Sequence, residues 1–363
     1  MTDALWDDLS ALMSIPGLSG HEDRVRRAIA ARLDPLETQT DTLGNLWATL
    51  PGDPALPSVF VFTHMDQLGF IVRKIEPDGF LRLERLGGVP ERALPAQAVT
   101  ISGSKGDLPG IIANKSHHAT TPDEKYHVVR YPDLYVDAGF SSAAAAEDAG
   151  IRIGTPVTYS ARAMRLAGSR VAGTAIDDRA GCAVLIRLAK EIAKRTTGPT
   201  IHIAFTVQEE FNLRGALPLA QRLAPEIAIQ IDLMLATDTP DMGDRGEMRL
   251  GGGPGMSLYS FHGRGTLNGV IPHPALVTLV EGAAIAENLP LQRSAQTGVL
   301  TDLSYVQLTG QGVAAIDLGF PMRYSHSALE VCDLADLDAL WRLLLRVCAG
   351  IDPDFSLGRD AHT

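Results

Sequence analysis

Two kinds of hydrophobic pattern occur in different parts of this chain of 363 residues. From about residue 170 onward, short apolar runs alternate with longer segments in which apolar residues recur at helical spacing. This alternation predicts strands at 201–207, 227–235 and 313–318 and helices at 179–194, 213–223, 274–288 and 334–348. Residues 1–67 continue the pattern, with two amphipathic helices followed by strands at 46–50 and 59–63. Such a sequence predicts an α/β sheet with helices on both faces, an α/β/α sandwich.

Residues 68–163 have a different pattern, in which turn-forming residues separate short apolar runs typical of strands. Pro77, Asp78 and Gly79 separate the runs FIVRKI and FLRLERL, and further glycines punctuate the segment. Closely spaced short strands are typical of a small β-barrel or sandwich. We therefore predict one α/β domain formed by residues 1–67 and 164–363, interrupted by an inserted β-rich domain at 68–163.

Composition and charge narrow the function classes. The net charge of −11, without a run of Lys or Arg, argues against nucleic acid or an anionic membrane as a partner. The chain starts with an acidic helical segment, and we expect neither a signal peptide nor a membrane-spanning helix. Its three cysteines lie in apolar contexts and are odd in number, which favours buried free thiols and a cytoplasmic location.

Acidic residues and histidines occur at the ends of several strand-like apolar runs. The residues that carry this signal are His64, Asp177, Glu209, Glu210, Asp232 and His326. Burying unpaired carboxylates beside such strands would cost several kcal/mol, so a metal partner is the economical explanation. Imidazole and carboxylate ligands without thiolate suit zinc, cobalt or manganese. The sequence therefore predicts a two-metal hydrolase.

His64 and Asp66 are two residues apart at a strand end, so they point to the same side. Asp66 can accept the second N–H of a metal-bound His64, although an ordinary salt bridge fits equally well. Asp177 and Asp178 precede an apolar helix, where Asp178 fits a helix cap and Asp177 can bridge two metals.

Glu209 and Glu210 end the apolar run IHIAFTV, which argues against a solvated surface pair. One of them can bind a metal while the other acts as general base. Asp232 interrupts a strand and needs a partner, and His326 lies in a loop at the carboxyl edge of the predicted sheet. No Gly-x-Ser-x-Gly motif accompanies a plausible triad, which disfavours serine catalysis.

These segments together resemble the tetrahedral (TET) aminopeptidases, a family of dimetal peptidases that includes glutamyl, leucyl and deblocking aminopeptidases. The resemblance runs through PGLSGHE, THMDQLGFIV, GIIANKSHH, PDLYVDAGF, AIDDRAGCAVL, TVQEEFNLRGA, IQIDLMLATDTP and RYSHSALEVCDL, and so spans most of the chain. It implies removal of N-terminal residues from peptides by a metal-activated water. It also implies that the inserted barrel mediates dimerisation and that dimers build a dodecamer.

The resemblance also implies specific roles for site residues. One metal is bound by His64, Asp177 and Asp232, and the other by Asp177, Glu210 and His326. Glu209 is then the general base, and Asp66 orients His64. The implied cofactor is a pair of divalent ions, zinc first, with cobalt or manganese as alternatives.

Three positions depart from, or only partly match, the family pattern. Gln67 replaces a glutamate beside the site and removes one charge, and Asn212 replaces a glycine but still tolerates a left-handed backbone. Asp302 matches only weakly the aspartate that the family has on the substrate side of the site.

The apolar hairpin at residues 70–86 is predicted to give a surface for self-association.

Two alternatives stay open at this point. The chain can be another dimetal hydrolase, such as a deacylase of N-acyl amino acids, or a non-catalytic assembly protein of the same fold. For the aminopeptidase, the expected partners are short peptides with a free N-terminus and further copies of the chain. The preferred N-terminal residue does not follow from the sequence.

Overall fold

The computed structural model describes residues 2–262 and 269–359. The helices are α1 (Thr2–Met13), α2 (Asp23–Leu33), α3 (Ala143–Asp148), α4 (Ile176–Ile192), α5 (Ala216–Leu223), α6 (Pro274–Ala286), α7 (Leu303–Val306) and α8 (Leu334–Ala349). The strands are β1 (Gln39–Thr40), β2 (Leu46–Leu50), β3 (Val59–His64), β4 (Gly69–Ile75), β5 (Leu81–Leu86), β6 (Ala98–Gly103), β7 (Gly106–Ile112), β8 (Tyr135–Asp137), β9 (Pro156–Tyr159), β10 (Ala163–Arg165), β11 (Arg170–Gly173), β12 (Ile201–Thr206), β13 (Ile227–Leu235), β14 (Gly255–Phe261), β15 (Gly269–Val270), β16 (Gln292–Thr297), β17 (Ala314–Met322) and β18 (Glu330–Asp333).

A mixed sheet forms the frame of the molecule. Within the described ranges it has nine strands in the order β1-β2-β12-β3-β13-β17-β14-β15, with β16 beside β14. The central strands β12, β3, β13 and β17 are parallel and almost wholly buried. Their near-continuous apolar sequences follow from burial on both faces. Because they are parallel, their carboxyl ends meet at one edge of the sheet.

Side chains that alternate along the central strands build two separate cores. Val59 and Val61 of β3 pack with the helices α1, α4, α6 and α8 on one face. Phe60 and Phe62 point the other way and pack with residues of α5 and α7. This alternation is the period-two geometry of a strand, applied to a strand that is apolar throughout. The predicted α/β/α sandwich is confirmed.

A second sheet closes into a small barrel in the order β4-β5-β8-β7-β6-β9. Its core contains Phe70, Leu83, Val99 and Val157, which come from four different strands. The predicted small β-barrel is therefore confirmed, and its strands lie between residues 69 and 159. The division of the chain into domains at 67/68 and 163/164 stays a prediction.

Four apolar side chains of the hairpin at residues 70–86 point into this barrel. Phe70, Val72, Leu81 and Leu83 are each at most 2% exposed. These four side chains are therefore not available for contact with another chain, because alternate residues of a barrel strand face inward. Ile71, Phe80 and Leu86 of the same hairpin are partly exposed, so self-association through the hairpin stays a prediction.

Two strands at one end of the main sheet escape the sequence patterns. The strands β14 and β16 were not predicted, because GMSLYSF follows a glycine-rich turn and QRSAQT has no apolar run. Cys182, Cys332 and Cys348 are buried free thiols, as predicted. Across the described part of the chain, no helix combines the length and the apolar character needed to cross a bilayer.

Candidate metal centre and catalytic cleft

Two groups of potential metal ligands meet at the carboxyl edge of the sheet. His64, Asp177 and Asp232 each offer one ligand atom, and these atoms lie within 4.8 Å of one another. Asp177, Glu210 and His326 form a second group that meets the same criterion. Asp177 belongs to both groups, so its two carboxylate oxygens lie between them. The structure thus brings together the five residues that the sequence marks as ligands.

The first group is held by regular elements and is buried. His64 ends β3, Asp232 lies within β13, and Asp177 lies in the first turn of α4. The Nε2 atom of His64 is 3.1 Å from Oδ1 of Asp177. Asp232 accepts hydrogen bonds from the Leu233 amide at 2.6 Å and from the Gln230 side chain at 3.3 Å. The geometry of this group is therefore set by the sheet itself.

The second group is held by loops and is more open. Glu210 follows β12, and His326 follows β17 with a positive φ of 66° and a side chain that is 36% exposed. The Nε2 atom of His326 is 3.5 Å from Oδ2 of Asp177 and 3.8 Å from Oε2 of Glu210. Its Nδ1 donates to the carbonyl of Gly88 at 3.0 Å, which leaves Nε2 free for a metal.

Gly88 is contributed by the loop that leaves the barrel strand β5. A Cβ atom at this position would lie 2.9 Å from Nδ1 of His326, closer than real contacts allow. The close approach of the Gly88 carbonyl to the imidazole therefore requires glycine. One ligand of the second group is thus oriented by the barrel rather than by the main sheet.

Asp66 connects His64 to the loop that carries the two glutamates. Its Oδ1 accepts the Glu209 amide at 3.0 Å, and its Oδ2 accepts the Glu210 amide at 3.1 Å and the Ser19 hydroxyl at 2.6 Å. Nδ1 of His64 lies 3.5 Å from the Asp66 carboxylate and 3.2 Å from the Asp66 carbonyl, to which it donates. Asp66 is therefore placed to orient both His64 and the Glu209–Glu210 turn.

Glu209 lines the cleft without belonging to either ligand group. The cleft has a volume of about 460 Å³, and its walls include Asp177, Glu209, Glu210, Asp232 and His326. Burial raises the pKa of Glu209 well above its usual range, and the charges of Asp232 and Glu210 add to the shift although His64 opposes it. Glu209 is therefore a cleft carboxyl group that neither ligand group uses.

The ligand groups bring three carboxylates together with two imidazoles, so negative charge is in excess. Burial and the charge of Asp177 raise the pKa of Glu210 to about 7, although His326 opposes the shift. Burial would lower the pKa of His326, but Glu210 and Asp177 outweigh it and raise the value to about 9. Oε1 of Glu210 is buried and has no hydrogen-bond partner within the described ranges. A divalent cation would supply the missing charge, and the nitrogen and oxygen donors suit zinc, cobalt or manganese.

Glu330 is a residue of the site that sequence reasoning missed. Glu330 is 2% exposed and accepts the His326 amide at 2.7 Å and the Asp177 amide at 3.0 Å, so it ties two ligands to β18. A glutamate between apolar residues in ALEVC carries the same signal as Asp232 and could have been found by it.

Three other predicted positions have clear surroundings. Asp178 is fully buried and accepts hydrogen bonds from the Thr63 hydroxyl and, at 2.9 Å, from the Gly181 amide, which matches the predicted capping role. Asn212 has a φ of 65°, so the left-handed backbone expected there is confirmed. Asp302 is 1% exposed and does not line the cleft, whereas its neighbour Thr301 does.

The sequence profile of the M42 glutamyl aminopeptidases matches residues 44–343, which include both ligand groups. The chain belongs to this M42 family. The predicted resemblance is confirmed, and the chain is accordingly a peptidase of a metal-dependent family.

Named relatives agree with this assignment along the full length of the M42 peptidase. It is 37% identical to "Putative aminopeptidase SgcX" of Escherichia coli (strain K12), over 100% of both chains. It is 31% identical to a lysyl aminopeptidase of Pyrococcus furiosus, over 97% of this chain and 99% of the relative.

Solved structures agree as well. A TET aminopeptidase from the marine sediment archaeon Thaumarchaeota archaeon SCGC AB-539-E09 superposes with a TM-score of 0.91 at 29% identity, over 99% of this chain and 100% of the other. The TET1 peptidase of Pyrococcus horikoshii, which can assemble into a tetrahedron or a large octahedral shell, gives a TM-score of 0.85 at 28% identity, over 95% and 99% of the two chains.

Proposed function

We propose that this M42 peptidase removes N-terminal residues from short peptides at a site that holds two divalent metal ions. The observation that carries the proposal is the sharing of Asp177 between two ligand groups beside a cleft that also contains Glu209. Zinc is the first candidate for both positions, with cobalt and manganese as alternatives, because the donors are imidazole nitrogen and carboxylate oxygen.

The proposed roles follow from where each side chain lies. His64, Asp177 and Asp232 would hold one ion, and Asp177, Glu210 and His326 the other. When bound, the ions would supply Lewis-acid polarisation of the scissile carbonyl and of the attacking water.

Glu209 is proposed as the general base. It would take a proton from the attacking water and return it to the leaving amine, since its carboxylate faces the cleft and belongs to neither ligand group. Asp66 would hold the backbone of Glu209 and Glu210, and Glu330 would hold the backbone of Asp177 and His326. These two carboxylates are positioning residues, because they touch ligands and the base rather than substrate.

The test is digestion of a mixed peptide pool by purified protein, followed by mass spectrometry. The protein is used as isolated, after chelation, and after add-back of zinc, cobalt or manganese. Stepwise loss of single N-terminal residues that stops with chelator and returns with metal is the expected result. Intact peptides under every condition would overturn the proposal, and cleavage of a parallel pool of N-acyl amino acids would favour a deacylase.

Self-association is the second part of the proposal. The P. horikoshii relative assembles into closed shells, and the barrel of this chain exposes Tyr126, Val128 and Val129, which are 89%, 52% and 45% exposed. A cluster of exposed apolar side chains on one segment is typical of an interface. Multi-angle light scattering should give dimers or a dodecamer for the native chain and smaller species for a Tyr126→Asp, Val128→Ser variant. A native monomer at micromolar concentration would contradict this part.

The proposed location is the cytoplasm. All three cysteines are buried free thiols, and a reducing compartment keeps such thiols unpaired.

A further inference from the structure

A small pocket opens from the catalytic cleft on the side of β14 and β16. Its volume is about 30 Å³, and its walls share Asp232, Leu235 and Thr301 with the cleft. A volume of this size holds one group of about the size of water or ammonium, on the measure by which a water needs roughly 10–15 Å³. The shared wall residues place the pocket directly beside the ligand groups.

A row of polar side chains crosses the sheet at the pocket. Gln230 of β13 is in register with Asp317 of β17, and Ser257 of β14 is in register with Ser294 of β16. Met256 pairs with Leu318 in the antiparallel pair of β14 and β17, so Ser257 stands opposite Asp317 at the next position. Residues in register point to the same face of a sheet. Polar residues thus replace the apolar ones that fill the rest of this sheet.

Asp317 is the acidic member of the row, and only one of its two carboxylate oxygens has a hydrogen-bond partner in the described part of the chain. It is 4% exposed, and its Oδ1 accepts the Thr301 hydroxyl at 2.9 Å. Its Oδ2 has no hydrogen-bond partner in the described part of the chain, nor do Ser260 Oγ and Gln296 Oε1, which line the same pocket. Burial raises the pKa of Asp317 to about 7, although the Thr301 hydroxyl opposes the shift. Buried carboxylates left without a partner are costly, and the pocket walls in the described ranges contain no Lys or Arg.

The position of Asp317 suits a ligand that starts at the metal centre. Asp232 pairs with Gly319, so Asp317 lies two residues deeper on the neighbouring strand. A strand rises about 3.3 Å per residue, and neighbouring strands are about 4.8 Å apart. The Cα atoms of Asp232 and Asp317, two residues and one strand apart, are therefore about 8 Å apart. A lysine side chain carries a compact ammonium on a flexible four-carbon stem, and together with the side chain of Asp317 it can cover this distance.

Resting on the proposed aminopeptidase function, we propose that this pocket receives the side chain of the N-terminal residue and that Asp317 selects a cationic one, lysine above all. The ammonium would donate to Asp317 Oδ2 and to the free acceptor of Gln296. An acidic side chain would meet the like charge of Asp317, and an apolar one would leave Asp317 buried without a partner.

The test compares two substrates that differ in the ammonium alone. Lysyl and norleucyl 4-nitroanilides have the same stem length, so their ratio of kcat/KM isolates the charge. The expected ratio is at least about tenfold in favour of lysine in the zinc-loaded native enzyme. Asp317→Asn should lower kcat/KM for the lysyl substrate and so bring the ratio close to one.

A matched control tests whether loss of any buried carboxylate gives the same result. Asp336 is also buried with a pKa raised by burial to about 7, but it accepts the Gly251 and Gly253 amides and lies outside the pocket. Asp336→Asn should leave the lysine-to-norleucine ratio unchanged, whatever it does to the amount of folded enzyme.

Binding provides a readout that does not need turnover. Titration calorimetry with lysinamide and norleucinamide should give a preference for lysinamide in the native protein, and Asp317→Asn should abolish it. Norleucyl cleavage without a lysine preference overturns the pocket assignment and leaves the aminopeptidase intact. If neither substrate is turned over but the protein prefers lysinamide in a way that depends on Asp317, the pocket assignment holds and the proposed aminopeptidase function is overturned. Equal binding of both amides to the native protein overturns the pocket assignment.

Discussion

The two ligand groups of this M42 peptidase are built in different ways. The group of His64, Asp177 and Asp232 stands on two central strands and a buried helix start, and its members are 8% exposed or less. The group that adds Glu210 and His326 stands on loops, with His326 in a left-handed conformation and its side chain 36% exposed.

Folding of the hydrophobic core places the first group, whereas the second group also depends on contacts made by loops. The buried group is formed by elements that the hydrophobic core creates in any case, with His64 and Asp232 on central strands and Asp177 at the start of α4. The open group needs the additional support of Gly88 from the barrel for His326, whereas Glu330 from β18 supports both His326 and the shared Asp177. We therefore expect the barrel to affect one metal position much more than the other.

Loss of the shared ligand should give the largest effect. Asp177→Asn removes one carboxylate from both groups, so both metal positions should weaken together and peptide turnover should fall to the background of the assay. Metal content per subunit, measured by plasma mass spectrometry after gel filtration, is the direct check. Retention of two ions by this variant would contradict the sharing of Asp177.

Loss of the proposed base should separate chemistry from metal binding. Glu209→Gln keeps the size of the side chain but cannot accept the proton, so kcat should fall by about 10²–10⁴-fold. Metal content should equal that of the native protein, because Glu209 belongs to neither ligand group. Normal turnover, or loss of metal, would show that the roles of Glu209 and Glu210 are assigned wrongly.

The sequence predicted the buried metal ligands better than the residues that hold the ligands in place. Apolar strand runs locate His64 and Asp232, because a polar residue in such a run needs a partner. Gly88 could not be found in this way, since its role depends on a contact with His326, which is 238 residues away in the chain. Asp317 interrupts the apolar run of β17 as Asp232 interrupts that of β13, but the rest of its pocket was missed because β14 and β16 lack the apolar runs that mark strands.

A small change in the barrel loop should test how far the two groups are independent. Gly88→Ala places a methyl group against the imidazole of His326. The outer hydrogen bond of this ligand would be disturbed, and the affinity of one metal position should fall by about 10–100-fold while the other is unchanged. Competition with a metal-sensitive chelating dye resolves the two affinities. Gly282→Ala in α6, where a Cβ atom meets no neighbour within 4 Å, is the control and should leave both affinities at the native value.

The smallest effect concerns the support behind the buried group. Arg179 is fully buried, and in the described part of the chain the side-chain acceptor of its guanidinium is Gln67 Oε1 at 3.4 Å, which also accepts the Gly17 amide at 3.2 Å. Gln67→Glu gives this guanidinium a charged acceptor and should raise the free energy of unfolding by about 1 kcal/mol.

The repulsion of the new carboxylate by Asp66 opposes that gain, so the sign of the change is itself informative. Urea unfolding of the metal-free protein measures it, because bound metal would mask a difference of this size. Gln67→Met is the paired variant: it removes the acceptor and should lower stability by about 1–3 kcal/mol. If Gln67→Glu is also destabilising, repulsion within the acidic cluster outweighs the pair with Arg179. The neutral amide would then be the residue that best suits this position in this chain.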